Sequence, residues 1–131
     1  MNEKFNNETE SRPFGARFID GDILKIDLPS YVTQLKLEEA WKNRDRNAVT
    51  VFKSDRVTIT LVIFAAGAEV KPGNFEGTGT MTLQVMSGSL LFINGLNKIP
   101  LTIGQLITVH EHIPFSANAE EETVCLLTMI K

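Results

Sequence analysis

The chain has 131 residues, of which 43% are hydrophobic and 22% are charged, and its formal net charge at pH 7 is −3. This length is typical of one domain with its own hydrophobic core. No segment approaches the run of about 18 apolar residues that a membrane helix needs, and the basic residues form no block of the kind that binds nucleic acid. We therefore expect neither a membrane nor a nucleic acid as a partner.

Two features indicate a cytoplasmic protein. The first fifteen residues are polar and lack the apolar centre of a signal peptide. The chain also has a single cysteine, Cys125, which excludes a disulfide within one chain and agrees with a reducing compartment. Because Cys125 lies in the apolar run TVCLLTMI, we predict a buried thiol without a nucleophilic role.

The N-terminal third carries more charge than the rest and is predicted to be peripheral. Residues 1–22 are an N-terminal extension, with disorder expected over residues 1 to about 12. The run 23-ILKIDL-28 alternates like a short strand. The segment 29–41 predicts the single helix, with Ser30 available as its N-cap. Its apolar residues at helical spacing are Tyr31, Val32, Leu35 and Trp41.

From residue 48 onward, short β-rich runs alternate with turn signals. The predicted strands are 48–53, 57–64, 80–86, 89–93, 98–101, 106–109, 114–118 and 123–130. Asn94-Gly95 is the strongest turn signal, because both residues tolerate the positive φ of a two-residue hairpin turn. This number of antiparallel strands indicates a closed barrel or jelly roll over residues 48–131. The strand and helix of residues 23–47 should pack on it.

The order of these turns resembles the cupin family of small jelly-roll barrels. A loop at 64–73 precedes a strand that enters Ser87-Gly88, a hairpin follows, Gly104 opens the next strand, and Ile113-Pro114 begins the strand after it. The resemblance covers roughly residues 48–130. It implies an all-β, cupin-type jelly-roll barrel, or double-stranded β-helix, with a short N-terminal strand and one helix.

The resemblance also implies a homodimer. Small cupins commonly pair, and the N-terminal strand and helix have apolar faces, Trp41 among them, that we expect a small barrel to leave partly uncovered.

Cupins hold a transition metal with three histidines and a glutamate from two motifs, and this sequence lacks those ligands. Counted back from Gly88, the slots of the first motif fall on Phe75, Gly77 and Met81, or on Asn74 and Glu76 in place of the first two if the spacer is one residue longer. Counted forward from Gly104, the histidine slot of the second motif falls on Phe115.

The side chains in these slots predict an apolar barrel mouth. Phe75, Gly77, Met81 and Phe115 offer no hard donor for a metal. Two phenyl rings could fill the pocket and leave a structural or binding module. The alternative is an apolar niche that binds a small apolar ligand.

His110 and His112 are the alternative metal ligands. On a strand, alternate side chains point the same way, so this pair could chelate one divalent transition metal. The cupin register instead places His110, Glu111 and His112 in a turn at the rim of the barrel, where the family has Pro-x-Gly. There we expect surface histidines.

The sequence therefore predicts a cupin-fold protein without a metal or other cofactor, acting as a non-catalytic small-molecule-binding or structural module. The rival hypothesis is an enzyme. It would be a metal-dependent dioxygenase or isomerase that uses His110 and His112, or an isomerase in which Glu69 and Glu76 form an acid–base pair. Fold analogy does not choose between these classes.

Overall fold

The computed structural model describes residues 4–6, 17–71 and 79–131, which form eleven strands and two helices. In chain order they are β1 (Lys4–Asn6), β2 (Arg17–Asp20), α1 (Leu28–Leu37), α2 (Glu39–Asn43), β3 (Arg46–Lys53), β4 (Val57–Phe64), β5 (Glu69–Val70), β6 (Thr80–Ser87), β7 (Ser89–Asn94), β8 (Asn97–Thr102), β9 (Leu106–Val109), β10 (Ser116–Ala119) and β11 (Thr123–Ile130). Neither helix in these ranges has the length and hydropathy needed to cross a bilayer.

Strands β3 to β11 form two antiparallel sheets whose inner faces share one core. The five-stranded sheet has the order β3-β4-β11-β6-β9, and the four-stranded sheet has the order β5-β10-β7-β8. The shared core consists of Phe64, Ala68, Val70, Met81, Leu83, Val85, Leu90, Phe92, Leu101, Val109, Phe115, Ala117, Ala119, Cys125 and Leu127. The predicted jelly-roll barrel is thus confirmed. All eight strands predicted for residues 48–131 are present, and within this range only the short β5 was not predicted.

Helix α1 covers the outer face of the five-stranded sheet. Leu35 is fully buried there against Val49, Val51 and Leu61, in a second apolar cluster. Trp41 is half-buried and packs on the same cluster. The chain therefore partly covers the apolar helix face on which the dimer prediction relied, and the homodimer stays a prediction.

The N-terminal strand does not lie where the alternating run predicted it. Residues 23–27 are irregular and α1 already begins at Leu28, while the strand β2 lies earlier and pairs antiparallel with β1. Strand β1 also falls within the segment for which disorder was predicted. The alternation misled because Ile26 and Leu28 are partly buried against the second apolar cluster, beside helix α1, and do not belong to a strand.

The predicted helix is present but is interrupted, and its N-cap is Asp27 rather than Ser30. The Asp27 carboxylate accepts a hydrogen bond from the Ser30 backbone N–H at 3.2 Å, and this bond holds the pKa of Asp27 below its usual 3.8. Pro29 lies in the first turn, where its missing N–H is harmless.

A buried polar network marks the break between α1 and α2. Glu38 has an extended backbone and is only 3% exposed. Its carboxylate accepts hydrogen bonds from the side-chain amides of Gln34 at 3.1 Å and Asn47 at 3.0 Å. The Asn47 amide also donates to the carbonyl of Leu35 at 3.0 Å. These bonds satisfy buried polar groups and fasten both helices to β3.

The hairpin between β7 and β8 turns one residue later than predicted. Asn94 pairs with Asn97, so the two-residue loop is Gly95-Leu96, with a φ of 59° at Gly95. The Asn94 side chain instead donates a hydrogen bond to the Pro114 carbonyl. Asn94 thereby connects this hairpin to the segment that leads into β10.

Cys125 lies in the shared core, as predicted, and its burial sets its reactivity. The residue is fully buried, and desolvation raises the pKa of its thiol from 9.0 to about 12. At pH 8 the thiolate population should therefore be about a thousandfold smaller than in the unfolded chain. We expect native protein to resist a thiol reagent at pH 8 and urea-unfolded protein to react with one equivalent. Rapid labelling of the native protein would contradict this burial.

Candidate functional site

One row of inward side chains crosses the whole five-stranded sheet at one end of the barrel. Successive cross-strand neighbours in this row are Lys53 and Thr58, then Met129, then Met81, then Val109. Directly opposed residues of paired strands lie on the same face of the sheet. All five residues line an open pocket of about 470 Å³, here called the mouth pocket.

The segment from β9 to β10 forms a second wall of the mouth pocket. His110, Glu111, His112 and Ile113 line this wall and are exposed. The Glu111 carboxylate accepts a hydrogen bond from the Gly79 backbone N–H at 3.1 Å, and its same oxygen lies 3.9 Å from Nε2 of His112. Glu111 thus ties the wall to the start of β6.

His112 has a left-handed backbone conformation, with a φ of 65°. Apart from glycine, no other described residue has a positive φ. Histidine is among the few other residues that adopt this region with some frequency. The cupin register aligns His112 with the glycine of Pro-x-Gly, so the predicted turn at the rim is confirmed. The strand geometry required for chelation by His110 and His112 is therefore absent.

Phe115 and Met81 form the floor of the mouth pocket. They are 7% and 6% exposed, and both also line a residual void of about 20 Å³ deeper in the barrel. The Phe115 ring stacks on Phe92, with ring centroids 5.0 Å apart and planes inclined by 17°. A void of this size, surrounded by apolar side chains, is expected to stay dry. Among the described residues, the barrel interior is thus filled and the mouth above Phe115 is open.

Of the remaining predicted site residues, the structure describes only Glu69, which does not line this pocket. Phe75, Glu76 and Gly77 lie outside the described residues, so contact between Phe75 and Phe115 stays a prediction. Glu69 is exposed in β5. Its neighbour Val70 faces the core, and adjacent residues of a strand face opposite sides, so Glu69 points away from the barrel interior. This orientation removes Glu69 from an acid–base pair at the mouth.

The sequence prediction missed the polar end of the row. Lys53 and Thr58 flank the tight turn between β3 and β4, and neither residue belongs to a cupin motif. Pairing the predicted strands 48–53 and 57–64 across the short turn between them would have opposed these two residues. Their position beside Met81, however, depends on β11, which lies between β4 and β6 in the sheet.

Within the described residues, no cluster of three or more histidine, cysteine, aspartate or glutamate side chains could hold a metal. The residues at the two cupin ligand slots that the structure describes are a thioether, Met81, and a phenyl ring, Phe115. A thioether is a soft and weak ligand when alone, and a phenyl ring offers no lone pair. The described slots therefore do not fit the transition-metal site that the family resemblance implies.

No protein-family model and no curated protein sequence matches the chain significantly. Solved structures do match. The chain is similar to a cupin superfamily protein from Desulfitobacterium hafniense, with 22% identity, a TM-score of 0.66 and 97% of each chain covered. The chain has the cupin fold. The resemblance inferred from the turn residues is thereby confirmed at the level of fold.

Two further solved structures share this barrel. A cupin-2 domain protein from Shewanella frigidimarina has 14% identity and a TM-score of 0.63, with 81% of this chain and 94% of that chain covered. A conserved protein of unknown function from Streptococcus pyogenes has 21% identity and a TM-score of 0.55, with 66% and 74% covered. At these identities the likeness establishes the cupin fold and leaves the activity to be argued from the mouth pocket.

Proposed function

We propose that this cupin barrel is a non-catalytic small-molecule-binding protein whose ligand occupies the mouth pocket without a bound metal ion. The observation that carries the proposal is the floor of that pocket, where Met81 and Phe115 stand at positions that hold metal ligands in cupins. Its volume of about 470 Å³ is within the range of small-molecule sites.

The chemistry of the pocket walls supports binding rather than catalysis. The exposed His110 and His112 lie at the rim, and the Glu111 carboxylate already accepts a hydrogen bond from Gly79. A general acid or base needs a pKa tuned to its task, usually by burial or by a close charge. Exposed side chains on a turn are poorly placed for such tuning.

A metal-dependent enzyme is the second candidate, and one observation favours it. His110, Glu111 and His112 all line the same pocket, so a metal held by them would face a ligand bound there. This candidate needs the turn to rearrange, because its present conformation does not place the two imidazoles on one strand face. We therefore rank it below binding without a metal.

Elemental analysis of protein purified without an affinity tag tests the two candidates. We expect iron, manganese, nickel, copper and zinc each to be far below one equivalent per chain. The matched variant combines His110→Ala with His112→Gly, because glycine accepts the left-handed backbone at position 112 without strain. Near-stoichiometric metal in the natural protein that is lost in this variant would overturn the proposal.

Two parts of the proposal rest on the sequence and on the family resemblance. We propose a cytoplasmic location because the chain has a single cysteine, which agrees with a reducing compartment. We propose a homodimer because small cupins commonly pair.

A further inference from the structure

The row of side chains across the mouth pocket changes from polar to apolar along its length. It begins with Lys53 and Thr58 on β3 and β4 and continues with Met129, Met81 and Val109 on β11, β6 and β9. Neighbouring strands lie about 4.8 Å apart, so the apolar part of the row spans about 10 Å. A ligand lying across the strands would thus meet an ammonium group and a hydroxyl at one end and an apolar surface at the other.

The charged groups of the pocket reinforce its polar end. Lys131 also lines the mouth pocket, and its backbone N–H donates to the Arg56 carbonyl at 2.8 Å, which places the Lys131 backbone between the β3–β4 turn and Gly79 at the start of β6. Glu111 is the single carboxylate side chain among the described lining residues. Its carboxylate accepts the Gly79 N–H at the start of β6, two strands away from β4. The polar end is therefore cationic.

The apolar end suits a flat or slender hydrophobic group. The Phe115 ring lines the pocket and stacks on the ring of Phe92. Met81 and Met129 present thioethers, which contact aromatic rings favourably and adapt to irregular shapes. This surface is half of an amphipathic site, and the two lysines are the other half.

We infer that the mouth pocket binds amphipathic organic anions, with the carboxylate or phosphate beside Lys53 and Lys131 and the apolar body over Met81, Met129 and Phe115. The inference rests on the proposed small-molecule-binding function and gives its ligand a chemical class. A lysine ammonium pairs with either anion as a point charge, so the experiment includes both headgroups.

Four probes that share an aromatic body and differ in headgroup test the inference. They are 3-phenylpropionate, benzyl phosphate, 3-phenylpropanol and 3-phenylpropylammonium, each titrated into ¹⁵N-labelled protein at low salt and followed by amide chemical shifts. We expect one or both anions to bind roughly three- to tenfold more tightly than the alcohol, and the cation to bind most weakly. Shifts should centre on Thr58, Thr80, Met81 and Met129.

Charge variants locate the headgroup. Lys53→Gln should weaken binding of the preferred anion roughly three- to tenfold and leave binding of the alcohol unchanged. Lys98→Gln is the matched control, because Lys98 is exposed on β8 and does not line the mouth pocket, and it should change neither affinity. Raising the salt concentration should weaken the anion alone.

The outcomes separate this inference from the proposed function. If the alcohol and the cation bind at the mouth as tightly as both anions, the pocket binds small molecules but the inference of an anionic ligand fails. If no probe shifts the amides at the mouth, both the inference and the proposed binding function fail. An equal loss of anion affinity in Lys53→Gln and Lys98→Gln would also overturn the inference.

Discussion

Replacing Phe115 with alanine should lower the free energy of unfolding by about 3–5 kcal/mol, one of the largest effects we expect from a single substitution in this barrel. The ring is 7% exposed, stacks on Phe92 at 5.0 Å and separates the mouth pocket from the residual void beneath it. Removing the ring would join the two spaces, and few neighbouring atoms could move to fill the gap. Urea denaturation followed by circular dichroism measures the loss.

Two comparison variants show how much of this effect belongs to the ring. Phe115→Leu keeps an apolar side chain at the floor and should be clearly less destabilising than alanine. A double-mutant cycle with Phe92→Ala should give a coupling energy of about 0.5–1.5 kcal/mol for the stacked pair. A loss below about 1 kcal/mol in Phe115→Ala would show that the ring does not form the floor.

The barrel could be predicted from the sequence because its strands obey local rules. Short β-rich runs bounded by turn residues at 57–64, 106–109 and 123–130 gave the bounds of β4, β9 and β11 as the structure has them. Strands β4 and β11 pack on the shared core with one face and on the second apolar cluster with the other, so both faces of these strands are apolar. The turn residues around them then sufficed to recognise the cupin resemblance.

The N-terminal region was harder to predict because its contacts are long-range. Ile26 and Leu28 alternate with polar residues, yet they pack against the second apolar cluster, which includes Leu35 of α1 and lies on the outer face of the barrel. The break between the two helices at Glu38 could not be predicted either. It is accompanied by a hydrogen bond from the side-chain amide of Asn47, nine residues further along the chain, to the Glu38 carboxylate. The local hydrophobic pattern of residues 23–41 does not indicate either contact.

The candidate site was predicted in part. Counting along the cupin motifs selected Met81 and Phe115, which lie in the shared core, and predicted a turn at residues 110–112, because each position follows from a nearby glycine. The polar end of the row was missed, since Lys53 reaches the pocket only through the register of β3 on β4 and of β4 on β11. A motif count carries no information about such cross-strand neighbours.

Gly88→Ala should lower the free energy of unfolding by about 2–5 kcal/mol, even though it adds a single methyl group. Gly88 has a φ of +86°, where a side chain costs about 1–2 kcal/mol in backbone strain. The new Cβ would also meet the Glu122 carbonyl and lie 2.7 Å from Cα of Thr123, so the tightly packed turn would have to shift, at an added cost of about 1–3 kcal/mol.

The crowding at Gly88 arises from the way Thr123 joins two strands. Thr123 is fully buried, and its hydroxyl accepts the Ser89 N–H at 3.1 Å while lying 3.0 Å from the Ser89 carbonyl and 2.8 Å from the Glu121 carbonyl. A Cβ on Gly88 would approach this hydroxyl to 2.5 Å. The added methyl group would therefore force the turn between β6 and β7 to shift where it packs against Thr123 at the start of β11.

Gly104→Ala is the matched control for this prediction. Gly104 has nearly the same φ, +84°, but a Cβ added there would meet nothing within 4 Å. It should therefore show the backbone strain alone, about 1–2 kcal/mol. The difference between the two variants measures the packing against Thr123, and thermal unfolding of both proteins at one pH provides it. Equal destabilisation by the two alanines would mean that Gly88 is required only for its backbone conformation, and that the turn can accommodate a methyl group beside Thr123.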